Sequence, residues 1–135
     1  MKVYIAGPMT GFPAYNLTAF EEAAFAWAAD GHEVETPFDA NSRVWFKHHG
    51  RPFDPHNDTC EWNDPLLREM FAEDVAVLLA SDAVALLPGW ENSKGATLER
   101  TIAERFNIPC VDASRPARSL DGCVRAEAAG VRASA

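Results

Sequence analysis

Two short apolar runs separated by one helical period constrain this chain more than any other feature. Lys2 to Ala6 reads as a buried strand closed by Gly7-Pro8, and His32 to Glu35 reads as a second strand ended by Thr36-Pro37. Between them, Leu17, Phe20, Ala24 and Trp27 recur at helical spacing and Gly31 supplies a stop. Thr18-Ala19-Phe20-Glu21 fits a capping box at the start of that helix. Strand, helix and strand joined this tightly form a βαβ unit, which demands a parallel sheet covered by helices.

The rhythm resumes after a gap. Asp64-Pro65 sets an N-cap and a first-turn proline for a helix to about Leu79. Ala83 to Leu87 is a third strand ended by Pro88-Gly89, Ala96 to Phe106 a second long helical segment, and Ile108 to Val111 a fourth strand. The expected fold is therefore α/β: a flavodoxin- or Rossmann-like three-layer sandwich around a mostly parallel sheet of four to five strands. Residues 1–112 form its single domain. Residues 40–63 read as an irregular insert, holding Gly50, Pro52, Pro55 and three of the four histidines without a sustained period. Residues 113–135, rich in Ala, Ser, Arg and Gly, read as a tail with room for a peripheral helix around Cys123 to Ala129.

Composition removes several classes of function. With 20 acidic residues against 12 Lys plus Arg, the net charge is −8. A polyanion grip needs clustered positive charge, so no nucleic-acid polymer and no membrane surface is expected as a partner. No run is long enough for a membrane span or a signal peptide. The three cysteines, Cys60, Cys110 and Cys123, give no disulfide framework, which points to the reducing cytoplasm.

Chemistry is sought where polar residues break the apolar pattern. In the helix after Pro65, Leu67, Phe71, Val75 and Leu78 make the expected inward stripe, and Asp74 falls on the same face. In the last helix, Glu99 lies one turn before the inward Ile102 and Ala103. Each has a plainer reading, as an edge carboxylate for Asp74 and as a dipole-compensating acid for Glu99. What favours a site is the placing of Ser93-Lys94-Gly95 after a strand end, where ligands of parallel sheets bind. There Ser93 and the following N–H groups would offer an anion site at the rim. Asp82, before the third strand, joins the candidate set, although a turn residue is the stronger reading for it alone.

Two other motifs fail. Gly89 to Thr97 has the wrong order for a phosphate loop, and no GxGxxG follows the first strand. His48, His49, His56 and Cys60 match no zinc spacing, so neither a metal nor any other cofactor is expected.

The motifs in order resemble the nucleoside 2-deoxyribosyltransferase superfamily. Tyr4-Ile5-Ala6-Gly7-Pro8-Met9-Thr10-Gly11 resembles its opening strand and loop, Asp74 with Asp82 its carboxylate pair, and Ser93-x-Gly95-x-x-x-Glu99 its Ser-x-Gly…Glu segment. That last segment is also similar to the 2′-deoxynucleoside 5′-monophosphate N-glycosidases, and the whole looks like a small branch common in phages. The resemblance spans about residues 2–112. It implies a homodimer or higher homo-oligomer whose neighbour completes the site, and a nucleoside or nucleotide as the small-molecule partner. It implies that Glu99 is the nucleophile, that Asp74 positions or protonates the substrate, and that Tyr4 orients Glu99. Gly7, Met9, Asp82, Ser93 and Gly95 would contact the substrate, with Gly7 admitting the sugar to the backbone and Ser93 holding a 5′-phosphate. The monophosphate hydrolases carry an Arg where Thr10 stands, for which Lys94, Arg43 or Arg51 could substitute. Thr97 replaces a second small residue of their motif, and the insert has no counterpart in the short members.

The expected reaction is hydrolysis or transfer of an N-glycosidic bond through a glycosyl-enzyme. Glu99 would be held ionised by the helix N-terminus, and Asp74 held protonated by burial. Trp45, Phe46 and Trp62 of the insert would act as a lid over the base. A non-catalytic nucleotide-binding or sensing module, and an interaction protein using the insert as its contact surface, are the competing expectations.

Overall fold

The computed structural model describes residues 1–60 and 64–114. Its elements run β1 (Lys2–Ala6), α1 (Leu17–Ala29), β2 (Glu33–Glu35), α2 (Pro37–His49), α3 (Pro65–Leu79), β3 (Ala83–Leu86), α4 (Lys94–Arg105) and β4 (Cys110–Asp112). The four strands form one sheet in the order β2-β1-β3-β4, and every pairing is parallel. The α/β layered fold read from the sequence is the fold present. No helix among the described residues is long and apolar enough to cross a membrane.

Alternation along the central strands divides the core by face. Val3 and Ile5 of β1 and Ala83 and Ala85 of β3 pack with Phe20 and Trp27 of α1. Tyr4, Ala6, Val84 and Leu86 point the other way, against Val77 and Leu78 of α3 and Ala96 and Ala103 of α4. The Trp27 indole N–H donates to the Ala113 carbonyl at 2.9 Å, which ties α1 to the chain just beyond β4.

Three expectations change. The first ten residues of the supposed irregular insert, 40–49, belong to the helix α2. Thr36-Pro37 ends β2 and also opens this helix: Thr36 Oγ1 accepts from the Asp39 N–H, and Asp39 Oδ2 accepts from the Thr36 N–H. That is a capping box with proline at N1. Its buried residues are Pro37, Phe38, Ala40, Val44 and Trp45, and only the last three fall in the supposed insert, too few to stand out in that polar stretch. Conversely, the box expected at Thr18 is absent. Helix α1 begins at Leu17, and its N-cap Asn16 makes no side-chain cap; the Asn16 amide instead donates to the Pro8 carbonyl at 3.0 Å. The buried stripe of α3 also differs. Met70, Val77 and Leu78 are buried, whereas Leu67, Phe71 and Val75 are only half-buried. The inward face is therefore centred on Asp74, one turn from both Met70 and Leu78.

The segment after α2 folds back on itself. Arg51 makes two short bonds to Asp58, 2.6 and 2.7 Å, and Phe53 meets the rings of Tyr15 and Trp45. Ala14, Tyr15 and Asn16 all hold positive φ, 49°, 56° and 67°, an expensive run for residues with side chains. Tyr15 in that run reaches the Asp58 carbonyl and Phe53, so the β1–α1 loop and the post-α2 loop brace each other. The expected tail helix after residue 114 lies outside the described residues.

Candidate active site

The site grows from the face of the sheet that carries Tyr4. Helix α4 presents Ala96, Glu99 and Ala103 inward, at i, i+3 and i+7. Two alanines let the helix sit close to the sheet, and the one long polar side chain between them must enter the core. Glu99 is 5% exposed and Tyr4 is 0% exposed. The Tyr4 hydroxyl donates to Glu99 Oε2 at 2.5 Å. Burial of a carboxylate without partners is costly, and among the described residues this bond is the one that offsets it.

Asp74 enters the same environment from α3. Its Oδ1 is buried without a hydrogen-bond partner among the described residues. Burial, the charge of Glu99 and then that of Glu73 push its carboxyl up to about 9, against a smaller opposing effect of Arg43. Burial lifts Glu99 to about 7, opposed by the Tyr4 hydroxyl. The Tyr4 phenol is raised well above its ordinary value, first by burial and then by the two carboxylates. Two carboxyls whose pKa values differ in this way can act at neutral pH as one acid and one base. This corrects the expectation that the helix N-terminus keeps Glu99 fully ionised. Helix α4 starts at Lys94, so Glu99 sits in its second turn, where the dipole has faded and burial prevails.

The other candidates separate. Asp82 does not join the site. Parallel pairing sets Val3 against Ala83, so Asp82 lies at the amino end of the sheet, where its Oδ2 accepts the Lys2 N–H at 2.8 Å. The ligand crevice of such a sheet is at the opposite, carboxyl end. Gly7 has a packing reason to be glycine: a Cβ there would stand 2.7 Å from Leu87 Cβ. Met9 packs toward the α1 face of the sheet, away from Tyr4. Ser93 is the N-cap of α4, accepting from the Ala96 N–H at 3.2 Å, so one of the N–H groups expected for an anion is already taken. Lys94 and Gly95 beside it are exposed, and a Cβ on Gly95 would meet no protein atom. Arg43 and Arg51 are committed elsewhere, Arg43 to Glu35 and Glu73 and Arg51 to Asp58, so neither takes the place of the missing first-loop arginine.

The lid expectation is also corrected. Trp45 is a core residue, packed with Val44 and Met70 in a cluster distinct from that of Tyr4 and stacked on His49 at 3.8 Å. Phe46 is 55% exposed, and Trp62 lies outside the described residues. His48 pairs with Glu69 at 2.8 Å. A groove of about 740 Å³ lies at the ends of β3 and β4, walled by Trp90 and Arg100, and none of Tyr4, Asp74 or Glu99 lines it. The carboxylate chemistry and this groove are therefore neighbours, not the same place.

Sequence reading missed Asn41. Its Oδ1 is buried and has no hydrogen-bond partner among the described residues, as is the case for Trp45 Nε1 one turn later. Had the Thr36-x-x-Asp39 box been read as a helix start, the spacing of Asn41, Val44, Trp45 and His48 would have placed Asn41 on the inner stripe.

A family model matches residues 1–51 and 59–112, most of the chain, and its description is a domain of unknown function, DUF4406. The chain belongs to the DUF4406 family. The segment that this DUF4406 match skips, 52–58, falls within the loop that Arg51 and Asp58 clip together. No curated protein matches the chain.

Proposed function

We propose that this DUF4406 protein cleaves the N-glycosidic bond of a 2′-deoxynucleoside or its 5′-monophosphate. The observation that carries the reading is the grouping of buried Tyr4 and Glu99 with Asp74, whose Oδ1 is buried, the two carboxyls being separated in pKa. The order of motifs from Tyr4 to Glu99 supports the same assignment by resemblance.

In this reading ionised Glu99 attacks C1′ as the C1′–N bond breaks, and Asp74 gives its proton to the departing base. Water then attacks C1′ of the glycosyl ester, releasing Glu99 and returning a proton to Asp74; a second base in place of water gives transfer. Tyr4 holds Glu99 in position. Gly95, open on its side-chain face, lets a ligand approach the α4 N-terminus, and Ser93 and Lys94 are the groups nearby for a phosphate. No cofactor enters the scheme. In this reading the protein works in the cytoplasm, as its cysteine usage suggests, and as a homodimer or higher homo-oligomer, as the superfamily resemblance implies.

The test is incubation with a panel of deoxynucleosides and deoxynucleoside monophosphates, including modified bases, followed by chromatography for free base. Base release by the wild type and its loss in Glu99→Gln is the expected result. Ligand binding without release would favour the sensing module, and neither binding nor release would leave the interaction protein.

A further inference from the structure

At the seam between α2 and α3, two buried side-chain oxygens, Asn41 Oδ1 and Asp74 Oδ1, and one buried donor, Trp45 Nε1, have no hydrogen-bond partner among the described residues. The helices run antiparallel, and their contacts fix the register. Arg43 pairs with Glu73, Lys47 and His48 pair with Glu69, Trp45 packs with Met70, and Ala40 shares a cluster with Val77. In each case a step forward on α2 is a step back on α3, and Asn41 falls opposite Asp74. Both belong to the contacting stripes, Asn41 with Val44, Trp45 and His48, and Asp74 with Met70, Glu73 and Val77.

Two buried carbonyl-type oxygens brought abreast by this register repel unless one carries a hydrogen. An asparagine Oδ1 only accepts, whereas a carboxylic acid has one O–H to donate. We infer that Asn41 is a positioning residue for Asp74: its side-chain carbonyl accepts the carboxyl proton of Asp74 across the α2/α3 seam. One bond then satisfies both oxygens and aims the proton along a fixed line. The inference deepens the proposed function, since this is the proton that the leaving base would take, but the hydrogen bond itself needs no substrate.

Asp74 is also faced by Glu99 of α4, Tyr4 of β1 and Arg43 of α2, with Glu73 beside it on its own helix. These stay in place when Asn41 is replaced, so a change in Asp74 reports on Asn41. The experiment is a carboxyl-carbon NMR titration of Asp74 without ligand, its resonance identified by loss in Asp74→Asn. Asn41→Leu keeps the volume of the side chain while removing the acceptor. The midpoint of Asp74 is expected to fall by roughly half to one pH unit, the worth of one ordinary hydrogen bond. A rise would mean that the Asn41 amide N–H donates to the carboxylate, and no change would mean no contact; either overturns the inference. Asn41→Ala serves as the second variant, with the same direction expected. Base release with an unmoved Asp74 titration would sink this inference alone, and a moved titration without base release would sink only the proposed reaction.

Discussion

The Tyr4 hydroxyl lies 2.5 Å from Glu99 Oε2, joining the middle of the first strand to the inner face of the last helix across 95 residues of sequence. This bond is the only hydrogen bond to the Glu99 carboxylate among the described residues, and it opposes the effect of burial on that group. Tyr4→Phe removes it with little change of volume. Glu99 should then titrate higher, and base release at pH 7 should fall by roughly tenfold to a hundredfold, the worth of a bond to a charged group. Rates measured across pH for both proteins check it: an unchanged acid limb would show that Tyr4 does not tune Glu99.

Activity should peak between the two carboxyl values. Glu99 must be ionised, which requires a pH above about 7, and Asp74 protonated, which requires a pH below about 9. A bell-shaped profile of kcat/KM with its top near pH 8 is expected, its limbs belonging to the coupled pair. A profile still rising at pH 10 would remove Asp74 from the role of acid.

Stability should run opposite to activity at low pH. Both carboxyls bind their protons more tightly in the folded chain than their ordinary values of 4.5 and 3.8 allow. Their favourable contribution is complete below about pH 4, and it is lost as pH rises toward 7 for Glu99 and toward 9 for Asp74. Tm should therefore decline from pH 5 to pH 9, and Asp74→Asn should flatten the upper part of that decline. Thermal melts at intervals of one pH unit measure it.

Gly7→Ala should destabilise the fold by about 1–3 kcal/mol through overpacking against Leu87. Adding Leu87→Ala should recover part of that loss, because it removes most of the colliding side chain. Urea unfolding of the two single variants and the double variant gives the coupling directly.

Asp82→Ala separates a structural carboxylate from the site. Loss of the bond from the Lys2 N–H should cost ~1 kcal/mol of stability. The pH profile of activity should keep its shape, since Asp82 sits at the far end of the strands. A displaced profile would return Asp82 to the site.

Much of this molecule was legible before any coordinates. The strands, Asp64-Pro65 as a helix start and the parallel sheet follow from apolar period and local stop signals, which act over a few residues. Helix α2 was less legible, because its capping box overlaps the end of β2 and the polar Asn41 interrupts its inner stripe of Phe38, Ala40, Val44 and Trp45. Asp74 and Glu99 could be singled out as polar residues on apolar faces. Asp82 precedes the third strand, so chain order already put it at the amino end of a parallel sheet, away from the ligand crevice; it entered the candidate set only through the resemblance of its spacing from Asp74.

What the sequence determined by itself was therefore the class of fold and a short roll of misplaced polar residues. Only the tertiary structure decided which of them meet. Packing brought Tyr4, Asp74 and Glu99 under two helices on one face of the sheet. The pKa values follow from that enclosure, because desolvation depends on every element packed around a group and not on its neighbours in the chain. Asn41 belongs to the same lesson: its place opposite Asp74 exists only once α2 and α3 are laid side by side.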